Sequence, residues 1–152
     1  MTARRKVRRG DRPLRCAADA GDATSRDARA GLTARAVMRV HPRGVTPDES
    51  LAHAARLMDA LGTREVPVIA GPALVGILTR TDMEPFRGHF EWTLVQTAMT
   101  ADPVTVSPDT PIARVMRLLL DRGFNSVPVT AAGKLLGMVA RTDVLRALAE
   151  PP

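Results

Sequence analysis

Gly76-Ile77-Leu78-Thr79-Arg80-Thr81-Asp82 is matched by Gly137-Met138-Val139-Ala140-Arg141-Thr142-Asp143, 61 positions further on. The same offset aligns most of the chain. Met38 falls on Met99, Pro42 on Pro103, Val45 on Val106, and Pro47-Asp48 on Pro108-Asp109. Arg56-Leu57 falls on Arg117-Leu118, Gly62 on Gly123, and Val66-Pro67-Val68 on Val127-Pro128-Val129. The chain thus contains an internal repeat in two copies. A solenoid needs about three or more, so two copies predict a pseudo-symmetric pair.

The length of 152 residues suits one compact repeat pair. Aromatic residues are scarce, with one Trp, three Phe and no Tyr, so Val, Leu, Ile, Met and Ala must build the core. The single cysteine, Cys16, allows no internal disulfide, which fits a reducing, cytoplasmic compartment. No apolar run approaches the ~20 residues of a membrane span, and no signal-peptide pattern is visible. The net charge of +6 is unevenly spread. Residues 1–35 hold 10 of the 22 Lys and Arg but 4 of the 16 Asp and Glu, leaving 12 of each sign for the rest. The folded part therefore gives no electrostatic reason to expect nucleic acid.

Residues 1–31 are rich in Arg, Ala and Asp without apolar period and read as a disordered tail. The run Arg4-Arg5-Lys6, Arg8-Arg9, Arg12 and Arg15 can contact phosphate backbones, although a solvated tail is the plainer reading. Residues 32–38 read as a short helix. Thr46-Pro47-Asp48-Glu49 predicts a helix start with Thr46 as N-cap and Glu49 closing a capping box. Leu51, Ala54, Ala55, Met58 and Leu61 supply its apolar face, and Gly62 stops it. Strands follow at Val66–Ile69 and Leu74–Leu78 across the Ala70-Gly71-Pro72 turn, and Thr79 opens a further helix. The second copy repeats this plan: Ser107-Pro108 as a cap, a helix through Ile112, Val115, Met116, Leu119 and Leu120, strands 126–130 and 135–140, and a last helix over 141–149. The alternation predicts an α/β (α+β) layer fold of two β-α-β-β-α repeats, with apolar sheet faces that meet. Domain boundaries are read as 32–83 and 98–149, joined by a linker over 84–97 in which Phe90 and Trp92 pack on the repeat interface.

The pattern closely resembles a tandem CBS-domain pair, or Bateman module, of the stand-alone kind. The residues that carry the resemblance are Ala36-Val37-Met38 and Ala98-Met99-Thr100, then Val45-Thr46-Pro47-Asp48 and Val106-Ser107-Pro108-Asp109. Val66-Pro67-Val68 and Val127-Pro128-Val129 follow, and last the Gly-x-x-x-Arg-Thr-Asp motifs at 76 and 137. The resemblance spans about residues 32–149 and implies a cytoplasmic, non-enzymatic regulatory module. It further implies an adenosine-containing ligand (AMP, ADP, ATP or S-adenosylmethionine) in the cleft between repeats, a homodimer, and an unidentified protein partner.

The residues of Thr79-x-x-Asp82 have their own logic. A Thr at an N-cap with an acid three residues on is either a capping box that serves only its helix, or a site where free N–H groups attract an anion and the carboxylate accepts a ribose diol. In the resembled family each site is composite. The main site here would join Thr79, Arg80 and Asp82 to Val104, Phe124 and Asn125, the two apolar residues sandwiching a purine. The second would join Arg141 and Asp143 to Arg43, Thr63 and Arg64. There Ala140 replaces the expected hydroxyl residue, and Arg43 and Thr63 replace apolar walls. One competent and one weak site are therefore expected.

Other chemistries lack residues. His41, His53 and His89 show no metal-ligand spacing and have no local cysteine. No Gly-rich phosphate loop, nucleophile elbow or Cys–His pair is present. The readings carried forward are a nucleotide-sensing module without cofactor or metal, a ligand-free dimerisation scaffold, and a nucleic-acid binder acting through the basic tail.

Overall fold

The computed structural model describes residues 31–149. The basic tail over 1–30 lies outside the described residues. Two half-sheets share the molecule, each built around a hairpin. In the first, β2 (Glu65–Ala70) runs antiparallel to β3 (Ala73–Thr79). In the second, β5 (Ser126–Ala131) runs antiparallel to β6 (Lys134–Ala140) in the matching register. Gly71 turns the first hairpin with φ 61, while Ala132 and Gly133 turn the second with φ 51 and 78. Left-handed residues suit such tight turns. The hairpin tips meet at Ala73 and Lys134, which joins everything into one sheet.

The crossover helices α2 (Leu51–Leu61) and α5 (Ile112–Arg122) link parallel partners. Val45 bridges Val68 and Val106 bridges Val129, both in parallel. This arrangement also accommodates Pro67, whose missing N–H is no loss and whose carbonyl accepts the Val45 amide at 3.0 Å. Each helix ends at a left-handed glycine, Gly62 (φ 63) or Gly123 (φ 65), as the sequence predicts.

The helix starts differ from the sequence expectation. Thr46 and Ser107 are not N-caps. The first helix begins at Leu51, with Ser50 accepting the His53 amide, and the second begins at Ile112 after Pro111. Thr46-Pro47-Asp48-Glu49 instead closes its own turn: Glu49 Oε2 accepts the Thr46 N–H at 2.7 Å, and the Thr46 hydroxyl donates to Asp48 at 2.6 Å. That hydroxyl holds the Asp48 carboxyl below its ordinary pKa. The reason the helix does not extend back through this turn is tertiary. The carbonyls of Pro47 and Glu49 accept the amides of Gln96 and Val95 at 2.9 and 2.8 Å. At the equivalent positions, Pro108 and Thr110 accept from Arg35 and Ala34, both at 2.9 Å.

Those donors belong to one-turn helices, α1 (Ala34–Val37) and α4 (Val95–Ala98), that open the two repeats. Each is lodged against the other repeat. Ala34, with Leu32, Val37 and Met38, packs into the core formed by Val104, Val106, Val115, Leu119, Val127 and Val139. Val95 and Ala98 pack into that of Val45, Leu51, Met58, Val66, Val68 and Leu78. The short strands behind them follow suit: β1 (Arg39–Val40) pairs with β6, and β4 (Thr100–Ala101) pairs with β3. The expected meeting of apolar faces is thus replaced by two core clusters joined by reciprocal exchange of their opening segments. Each is small by itself, and the exchanged helices add the buried area that a fold of this size needs.

Three residues expected in apolar contacts, Trp92, Leu120 and Leu61 (43% exposed, at the last position of α2), also depart from expectation. Phe90 packs against the first core, but Trp92, in the turn whose Thr93 carbonyl accepts the Leu51 amide, is 74% exposed. Leu120, read as inward-facing, is 60% exposed. Leu119 takes the buried position, since a single helical step of about 100° moves the next side chain off the core face.

The pseudo-two-fold relation passes between two equivalent residues, Glu65 and Ser126. The Ser126 hydroxyl donates to Glu65 Oε1, and Glu65 is buried. Replacing Ser126 with alanine is expected to cost about 1–2 kcal/mol, because a buried carboxylate loses one of its donors. Urea denaturation of the two proteins would measure it, and no change in midpoint would deny the contact any role in holding the repeats together.

Candidate functional site

Thr79 faces Glu65 in the first hairpin, and Ala140 faces Ser126 in the second. The Glu65–Ser126 bond therefore brings the ends of both hairpins to the boundary between repeats. Beyond each end a helix begins: α3 (Arg80–Met83), continued by a 3-10 turn over Glu84–Phe86, and α6 (Arg141–Ala149). The amide of Arg80 donates to the Arg64 carbonyl at 2.9 Å, and the amide of Arg141 to that of Asn125 at 2.8 Å. Thr79, Arg80, Arg64, Ala140, Arg141 and Asn125 thus lie beside the Glu65–Ser126 contact. Each carboxylate turn is hydrogen-bonded to the strand entry of its own repeat, and one link across the boundary runs through Glu65 and Ser126.

At the first turn both readings of Thr79-x-x-Asp82 are compatible. Thr79 is the N-cap and accepts the Asp82 amide at 3.1 Å, while Asp82 Oδ2 accepts the Thr79 amide at 3.1 Å. This is a complete capping box. It leaves Asp82 Oδ1 without a partner among the described residues, and Asp82 is half-buried. A carboxylate oriented by its own helix, with one oxygen available, suits a diol donor. The anion-attracting part of the expectation is reduced, because α3 is one turn long and its dipole is correspondingly small.

The arginines of the motif serve the crossover helices. Arg80 reaches Asp59 and, at 3.5 Å, the Ala55 carbonyl of α2. Arg141 reaches the carbonyls of Leu119 and Phe124 at 3.3 and 2.8 Å, at the end of α5. Arg141 there satisfies terminal carbonyls and complements the negative helix end, whereas Arg80 pairs with an acid on the side of its helix. Both guanidinium groups are therefore directed at their own repeat, and only their backbones stand at the boundary.

Val104 and Phe124 are buried in the second core, 4% and 6% exposed, so the open apolar walls expected from the sequence are not displayed. Asn125 is exposed beside them. In the second set, Arg43 and Arg64 are exposed, and the Thr63 hydroxyl donates to the Glu65 carbonyl at 3.2 Å. Asp143 differs most from its counterpart. Both of its oxygens are taken by Arg39: Nε donates to Oδ2 at 3.1 Å and the terminal nitrogen to Oδ1 at 3.0 Å. Arg146 stands 3.8 Å from the same Oδ1.

Sequence reasoning missed Arg39, Glu65 and Ser126. The repeat offset places Arg39 on Thr100 and Glu65 on Ser126. These mismatches between otherwise matching copies were the available signal. Among the described residues there is no cluster of His, Cys, Asp and Glu able to hold a metal ion. The nearest pairing is His53 with Glu49 at 3.5 Å on the exposed face of α2. No helix of the described residues is long and apolar enough to cross a membrane.

The family model of the CBS domain matches residues 34–83 and 95–150. An inosine-5'-monophosphate dehydrogenase of Korarchaeum cryptofilum is 36% identical over 101 residues, which is 66% of this chain and 21% of that enzyme. The chain therefore spans about a fifth of the length of that relative. Among solved structures, CBSX2 in complex with AMP is 29% identical with a TM-score of 0.71, covering 78% of this chain and 96% of the other. CBSX2 is a CBS-pair protein from Arabidopsis thaliana. The CBS pair of MJ0100, in complex with 5'-methylthioadenosine and S-adenosylmethionine, shares the fold at 20% identity and a TM-score of 0.69, covering 77% and 95%.

Proposed function

This chain belongs to the CBS-domain family as a tandem pair, and on that premise we propose that it is a regulatory module that binds an adenosine-containing ligand between its repeats. The observation that carries the reading is Asp82, a half-buried carboxylate fixed by its capping box with one oxygen still available at the repeat boundary. A ribose diol is the donor pair that such an oxygen accepts best. The likeness to CBSX2, solved in complex with AMP, supports the ligand class. The adenine would lie against the edges of Val104 and Phe124, with Asn125 supplying hydrogen bonds.

The two cores share their opening segments, so a ligand held at the boundary biases how the repeats sit together. It does so only by the difference in its affinity for the alternative arrangements. In this reading the output runs through a protein partner, and two chains form the functional homodimer.

A thermal-shift panel of AMP, ADP, ATP and S-adenosylmethionine tests the reading. A ligand at about 100 times its Kd stabilises by roughly 2.7 kcal/mol. For a fold of this size the midpoint then rises by about 10 °C. A flat response to all four would reject nucleotide sensing and leave a ligand-free scaffold.

A further inference from the structure

The two repeats place different residues against their equivalent carboxylates. Arg39 pairs with Met138 across β1 and β6, and Thr100 pairs with Ile77 across β4 and β3. These are the same positions under the repeat offset, so Arg39 and Thr100 hold equivalent places beside the hairpin strands that lead to Asp143 and Asp82. Threonine is too short and uncharged to neutralise a carboxylate. Arginine spans the distance and engages both oxygens at 3.0 and 3.1 Å, with Asp143 buried. Bidentate geometry to a buried acid is the strong form of the ion pair. The hydrogen bonds to Asp143 also raise the Arg39 pKa above its ordinary value.

We propose that Arg39 is an internal counter-cation that closes the second composite site, limiting the chain to one adenosyl ligand. The inference rests on the nucleotide-sensing reading and deepens it. A ribose diol entering at Asp143 must first displace a guanidinium that already satisfies both oxygens. The guanidinium arrives from the other repeat on an exchanged strand, so occupation of this site would also loosen the first repeat's opening segment. Arg146 does not substitute for it, since a single exposed contact at 3.8 Å is worth little.

Calorimetry with AMP separates this effect from that of the missing hydroxyl at Ala140. Four proteins are compared: wild type, Arg39→Thr, Ala140→Thr, and the double variant. Wild type and Ala140→Thr are expected to bind one AMP per chain, and the double variant two, with the second event lost on adding Asp143→Ala. Arg39 is on an edge strand and 68% exposed, so the fold should survive; Arg39→Gln, closer in length, provides a second uncharged variant. Two sites in wild type, two in Ala140→Thr alone, or one in the double variant would overturn the role of Arg39. Binding by none of the proteins would instead reject the nucleotide reading itself.

Discussion

Asp82→Ala is expected to lower the affinity for an adenosine nucleotide by at least about 100-fold. The ribose would lose two hydrogen bonds to a charged acceptor, each worth about 1.5–3 kcal/mol, and every 1.4 kcal/mol is a factor of about ten. The substitution also removes half of the capping box of α3 and so costs about 1 kcal/mol of stability. Asp82→Asn separates the two effects. Its amide oxygen can still accept the Thr79 N–H, while the other position becomes a donor that faces the diol with the wrong polarity. Calorimetric titration should therefore find both variants defective in binding but only the alanine variant appreciably less stable. Asp143→Ala should leave AMP affinity within about threefold of wild type, since Arg39 already occupies that carboxylate. Equal losses at Asp82 and Asp143 would refute the asymmetry between sites.

Gly76→Val is expected to destabilise the fold by about 3 kcal/mol, the upper range for forcing extra volume into a packed interior. A Cβ at Gly76 would lie 2.7 Å from Met99 Sδ and 2.9 Å from the Thr100 carbonyl oxygen. At Gly137 it would lie 2.7 Å from the Arg39 carbonyl oxygen and 2.9 Å from Met38 Sδ. In both places the obstacle includes backbone of the other repeat's opening strand, which cannot rotate away. The strand must leave, and with it goes part of the coupling between repeats. Guanidinium denaturation should show the loss for either glycine, while a change below about 1 kcal/mol would mean that the exchanged strand is readily displaced. Gly62 lies at a helix end with open space around its Cβ direction, whereas Gly44, whose Cβ would lie 2.5 Å from the Pro67 carbonyl oxygen of its own repeat, is crowded without involving the exchanged strand.

Much of the fold was legible because the chain is written twice. An element marked weakly once, such as the strand with an internal proline at Val66-Pro67-Val68, becomes firm when it recurs at the same offset. The helix-stopping glycines and the hairpin turns were legible for a local reason, since φ near +60 restricts the residue at that position. The helix starts were misread at Thr46 and Ser107 because their local signal is real but used by a turn. What excludes the helix is a pair of carbonyls claimed from far along the chain, by Val95 and Gln96 at the first turn and by Ala34 and Arg35 at the second. Trp92 was misplaced for a similar reason, because hydrophobicity states a preference for burial but not the direction in which a turn aims a side chain.

At the candidate site, Thr79 and Asp82 could be picked out from spacing, since a capping box is a local motif. The roles of Arg80 and Arg141 could not, because their reach to the side of α2 and the end of α5 depends on how the helices lie against the hairpins. Arg39 shows the same division. Its mismatch with Thr100 is visible in the linear chain, yet its meaning requires knowing that β1 crosses to β6. The amino-acid sequence was sufficient for the two-fold repetition, the order of elements, the turn residues and the motif at each repeat boundary, all of which follow from local backbone preference and recurrence. Only the tertiary structure decided that the opening segments are exchanged, that the glycines make room for them, and that one carboxylate is clamped while the other keeps an oxygen free. Those outcomes depend on contacts between residues up to 104 positions apart, and no local propensity encodes which of two equivalent strands a segment will join.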